Sequence, residues 1–130
     1  MDYFVRSIPQ VITFFFGGGS ILLQVLLCFT IFDYVTGILV AGYRGKLRSD
    51  IGFKGIGRKI AIFILVAVAH QADFIMGNQN LVRDAVIFFY LANELISILE
   101  NFVQMDVKVP LVLKNLVDVF RSNAGEKNKK

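Results

Sequence analysis

Tryptophan is absent from these 130 residues, histidine and cysteine occur once each, and proline occurs twice. Each shortage closes off a class of function. A lone Cys28 cannot form an internal disulfide, and inside an apolar stretch it is expected to pack as a small hydrophobe with no redox role. One His and one Cys, far apart in the chain, cannot supply a metal-ligand cluster, so neither a metal nor another cofactor is expected. No Trp belt marks a membrane–water interface. No serine elbow or phosphate-binding loop spacing is present; Lys54-Gly55-Ile56-Gly57-Arg58-Lys59 lacks the preceding strand that such a cradle needs. Glu94 and Glu100 lie in an apolar stretch with no soluble cleft to bring them substrate. The chain is not expected to be an enzyme.

Apolar residues, in contrast, are abundant. They make up 55% of the chain, Phe alone supplies 13, and the mean hydropathy of +0.62 is too high for an ordinary water-soluble domain. Between Arg6 and Arg44 the one ionisable carboxylate is Asp33, which leaves residues 21–43 as a first membrane span. Residues 44–59 read as a basic loop: Arg44, Lys46, Arg48, Lys54, Arg58 and Lys59 oppose Asp50, and four glycines discourage a continuous helix. A second span is expected at 60–76, where His70 and Asp73 stand three apart and could satisfy each other. Its charge-free part covers only about 20 Å of a core about 30 Å thick, so Lys59 and Asp73 would snorkel or the bilayer would thin. A third span is expected at about 84–103. These three spans form one transmembrane domain, 21–103, of an all-α integral membrane protein.

The ends of the chain differ in kind. Residues 1–20 hold an apolar run too short to span, broken by Gly17, Gly18 and Gly19 as a hinge; an interfacial or re-entrant segment is expected, retained in the mature protein. After Val109-Pro110, the 104–121 region carries a short amphipathic helix with Leu113, Leu116, Val117 and Phe120 on one side. It should lie on the inner leaflet or on a neighbouring helix. Residues 122–130 form a basic tail expected to be disordered. Because the 44–59 loop and the tail hold most of the basic residues, the positive-inside rule places both in the cytoplasm, giving an N-out/C-in, multi-pass topology. The counter-ions of the loop are lipid head groups; it offers no reading helix or interleaved aromatics for nucleic acid.

Polar residues within the spans fall in stripes. Thr30, Asp33, Gly37 and Ala41 line one side of the first span, with Gly37/Ala41 a small-xxx-small contact suited to helix association. Tyr90, Asn93, Glu94, Ser97, Glu100 and Asn101 fall at offsets of 3, 4, 7, 10 and 11, along one face of the third span. An acid at a helix centre costs about 2.5–3.5 kcal/mol on the insertion scale, while each large aliphatic returns only about 0.3–0.6. The stripes therefore favour association. They could hydrogen-bond inside one compact bundle, turn to water in an oligomer, or line a fixed ion path.

A family resemblance rests on motifs in order: Asp33-Tyr34-Val35-Thr36-Gly37; then Ser49, Gly52, Gly55 and Gly57-Arg58-Lys59; then Asn93-Glu94-Leu95-Ile96-Ser97-Ile98-Leu99-Glu100-Asn101; then Val109-Pro110. This series resembles the toxin-secretion/phage-lysis holins over about two thirds of the chain. The resemblance implies a homo-oligomer in the bacterial cytoplasmic membrane that opens lesions, letting out a cell-wall hydrolase or a large toxin without necessarily touching either. No closely spaced second methionine follows Met1, so a longer inhibitory form is not expected from this sequence. Two alternatives stand beside it: a small multimeric ion channel or transporter subunit, and a membrane anchor for a peptidoglycan hydrolase.

Overall fold

The structure, a computed structural model, describes residues 2–18, 20–46 and 49–126. Five helices and no strand occur among the described residues: α1 (Asp2–Phe16), α2 (Ile21–Tyr43), α3 (Ser49–Met76), α4 (Leu81–Gln104) and α5 (Leu111–Asn123). Of these, α2, α3 from Gly52 onward and α4 are long and apolar enough to cross a membrane. The all-α fold with three spans, a glycine-broken N-terminal segment and a C-terminal amphipathic helix is therefore the one observed. Gly19 of the expected hinge, Arg48 of the expected basic loop and Lys127, Lys129 and Lys130 of the expected tail lie outside the described residues.

The helix ends follow local chemistry. After Phe16, Gly17 takes φ +81° and its N–H donates to the Thr13 carbonyl at 2.9 Å, closing α1 in the left-handed turn that glycine adopts most cheaply. Ser20 then caps α2, its hydroxyl accepting from the Leu23 amide at 3.2 Å. Gly77, at φ +74°, ends α3 in the same left-handed manner. Pro110 precedes α5 in extended backbone, where a missing N–H is no loss.

Packing is centred on α4, which lies against α2, α3 and α5, while α2 and α3 touch each other sparingly and α1 rests on α3. Leu26, Ile62, Val66, Ile87 and Leu91 form the core where α2, α3 and α4 meet. A second cluster of Ala92, Leu95 and Val117 fastens α5 to α4, and the Phe120 ring lies 6.3 Å from that of Phe29 and 6.1 Å from that of Phe88. Apolar side chains also point outward in rows, such as Ile31, Phe32, Val35 and Leu39 on α2 and Ile60, Ile64 and Val68 on α3. Water would not tolerate so much contiguous apolar surface, whereas lipid tails match it. Cys28 belongs to that outward surface, not to the core.

Two sequence expectations need correction. Residues 49–59, read as loop, are helical and continue without a break into the second span, so α3 has 28 residues. The glycines that suggested a break serve packing: a Cβ on Gly52 would stand 3.2 Å from the Tyr34 hydroxyl, and one on Gly55 3.8 Å from the Tyr34 ring. Small residues let helices of membrane proteins approach closely, and tertiary packing outweighs the low helix propensity of glycine. At 28 residues, α3 is about 42 Å long. The tail is shortened in turn, because α5 runs on to Asn123.

Candidate functional site

Three charged side chains stand at one depth. Asp33 is ten residues before the end of α2, Lys59 ten after the start of α3 and Glu94 ten before the end of α4. Because α3 runs antiparallel to the other two, each charge lies about 15 Å in from the same end of the bundle. There Lys59 Nζ donates to Asp33 Oδ2 at 2.7 Å and to Glu94 Oε2 at 2.9 Å, with side-chain exposures of 18%, 12% and 7% for the lysine and the two acids. Asn101 extends the network, its amide donating to Asp33 Oδ1 at 3.1 Å and to Thr36 Oγ1 at 2.8 Å. The Thr36 hydroxyl in turn donates a hydrogen bond to the Phe32 carbonyl at 2.7 Å. No buried side-chain N or O among the described residues lacks a partner.

The network borders a groove of about 810 Å³ that opens between α2 and α3. On the α2 side it is lined by Asp33, Gly37 and Ala41, and on the α4 side by Tyr90, Asn93, Glu94, Ser97 and Asn101. The two stripes read from the sequence thus meet in one place. Arg58 lines the same groove, so two acids and two bases balance there. Some expected members lie elsewhere. Thr30 is buried and donates to its own helix, at the Leu27 carbonyl. Glu100 lies about 80° round the helix from Tyr90 at 100° per residue, and it faces a second groove against α5. Lys59 is not a loop residue bound to head groups, since its ammonium is spent inside the bundle; Arg44, Lys46, Lys54 and Arg58 remain exposed.

The expected His70–Asp73 pair also resolves differently. Asp73, only 1% exposed, accepts from the backbone amides of Val82 at 3.0 Å and Arg83 at 2.8 Å. It caps α4 from another helix, because Asn80 sits at φ 60° and offers that helix no side-chain cap. His70 Nδ1 lies instead 3.1 Å from Asn80 Oδ1. Beside them Arg83, 4% exposed, donates to the Phe16 carbonyl at 2.7 Å and pairs with Asp84 at 2.9 Å, while Gln71 donates to the Phe14 carbonyl at 2.9 Å. The open carbonyls at the end of α1 are thereby tied to α3 and α4. Gly17 is packed into this knot: a Cβ there would meet the His70 ring at 2.7 Å and the Arg83 guanidinium at 3.0 Å.

Sequence reasoning missed Lys59 as a network member, Thr36, and the structural work of Asp73 and Arg83. One signal was available for Lys59. Two acids in separate spans require a cation at their depth, and Lys59 is the basic residue whose distance from its helix end matches theirs. No comparable signal marked Arg83, whose partner is a backbone carbonyl 67 positions away.

Comparison with known proteins bears on this arrangement. The sequence model of a bacteriophage holin family matches residues 10–122. An uncharacterised protein of Listeria monocytogenes is 58% identical over 130 residues, covering 100% of this chain and 93% of that protein. A protein of Bacillus phage phi105 named "Probable holin" is 36% identical over 108 residues, 83% of this chain and 80% of that one. An uncharacterised 14.9 kDa protein from the nagH 3′ region of Clostridium perfringens is 37% identical over 111 residues, 85% and 84% of the two chains. No solved structure matches.

Proposed function

The chain belongs to the bacteriophage holin family, and from that premise we propose that it gathers into homo-oligomers in the bacterial cytoplasmic membrane and opens lesions that release a cell-wall hydrolase or a large toxin. The observation that carries this reading is the polar groove between α2 and α3, floored by Asn93, Glu94 and Ser97 at membrane depth. Lipid tails are poor neighbours for such a floor, so a second protein surface or water is the better one. In the resting chain Lys59 holds the acids of α2 and α4 together. Between copies, the Asp33/Gly37/Ala41 and Asn93/Glu94/Ser97 faces exchange their internal partners for those of a neighbour, and the polar side of α4 turns toward water. Residues 44, 46, 54 and 58 lie in the cytoplasm by their positive charge, the N-terminus and α1 lie at the outer interface, and α5 is entered from the cytoplasmic end.

Inducible expression in bacteria tests this, with and without a cytoplasmic cell-wall hydrolase. Expression alone should collapse the membrane potential abruptly, with rapid lysis only when both proteins are present. Glu94→Leu should insert more readily and lyse more slowly; lysis at the parental rate or faster would remove Glu94 from the lesion. A discrete conductance that passes ions but no folded protein would favour a small channel instead.

A further inference from the structure

The depth of α5 decides what its charged side can face. The chain leaves α4 at Gln104 and turns back, so α5 runs antiparallel along α4. Val117 packs on Ala92 and Leu95, at the midpoint of the α4 span, and Phe120 reaches further, to Phe88 and Phe29. Those two rings lie seven and eight residues from the starts of α4 and α2, about 10–12 Å from the end of the bundle opposite to where α5 enters. Thus α5 passes the middle of the spans. Its apolar side accounts for that placement, but Lys114, Asp118 and Arg121 recur at offsets of 4 and 7 on the other side. With Glu100, they border a separate groove of about 500 Å³ between α4 and α5.

The contrast with the first groove is informative. At about the depth of Lys114 and Asp118, Lys59 pairs with both Asp33 and Glu94 through contacts under 3 Å. Glu100, Lys114 and Asp118 make no ion pair among the described residues, and Arg121 meets only Glu126, at 3.9 Å, with both side chains about 45% exposed. Charges that are not neutralised internally and lie at the level of hydrocarbon require water beside them. We propose that α5 is a membrane-inserted lining helix, whose Lys114–Asp118–Arg121 face, completed by Glu100 of α4, borders the water of the open lesion. This inference rests on the lesion-forming reading above and adds the identity of a wall.

Single-cysteine labelling in the full chain tests it. In a Cys28→Ala background, Asp118→Cys places a thiol on the charged face and Val119→Cys one on the outward apolar surface of α5, away from the charges; Lys114→Cys repeats the first should Asp118→Cys fail to accumulate. The probe is a small, charged, membrane-impermeant methanethiosulfonate applied outside intact cells. Cysteine at 118 should react at least several-fold faster once permeabilisation begins, and its modification should change dye leakage, while cysteine at 119 stays inert. Equal reactivity at both positions without an effect on leakage, as for a helix lying on the surface, overturns the inference. So does an inert thiol at 118 and 114 in leaking cells, which would place a second copy against this face. Leakage from the Cys28→Ala parent reads the lesion by itself: its absence overturns both proposals, whereas leakage with unreactive α5 thiols overturns only this one.

Discussion

At the scale of single residues, the cost of placing an acid among hydrocarbon helices is set by the nearest cation. Lys59 meets two carboxylates at once, and the three groups come from three different helices. Removing one member of a buried ion network leaves uncompensated charge, at a cost of about 3–5 kcal/mol for a fully buried pair; the partial exposure of Lys59 places it toward the lower end. Lys59→Met should therefore lower the unfolding stability of the purified protein by about 3 kcal/mol. The triple change Asp33→Asn, Lys59→Met, Glu94→Gln should recover most of it, because no bare charge remains. Denaturant unfolding in detergent checks both; a triple variant no better than the single one would show that the charges themselves, not their balance, hold the bundle. The acids were legible in the sequence as polar stripes. Their lysine was not, because a base beside a basic loop reads as topogenic until the helices are brought together.

At the scale of elements, glycine plays two opposite parts. In α3, Gly52 and Gly55 lie inside the helix and admit Tyr34, so the stretch that reads as a loop extends the span. At Gly17, the chain adopts φ +81° and is packed against His70 and Arg83, so glycine there is a true break. Gly17→Ala should cost about 1–2 kcal/mol from left-handed strain alone, with the His70 clash in addition. The loss should be local: amide exchange should rise across α1, while the central part of α4 keeps its protection. Uniform loss of protection would mean that α1 supports the whole bundle. Composition cannot separate these two kinds of glycine, since the difference lies in which neighbour occupies the space of the missing Cβ. The α4 start shows the same limit, since Asp73 caps it from the far side of a turn.

At the scale of the whole molecule, α4 is the common partner and α2 and α3 stand on either side of its polar face. That layout leaves one end of the bundle rich in exposed bases, at Arg44, Lys46 and Lys54, while at the other end Arg83 is buried and paired. The positive-inside rule acts on the first set, so a cysteine introduced at Gly45 should be shielded from an impermeant thiol reagent in intact cells, and one at Gln79 should react. The labelling is read in a Cys28→Ala background before permeabilisation begins. The reverse pattern would invert the topology.

The amino-acid sequence by itself determined the membrane class, the three spans, the break after Phe16 and the presence of intramembrane acids, because hydropathy, helix period and glycine placement act locally along the chain. Only the tertiary structure decided which cation meets those acids, that Asp73 serves α4 and not His70, and how deep α5 lies. Each of these depends on the relative depth and rotation of separate helices. Side-chain packing across α4 fixes both, and no pattern within a single helix encodes them.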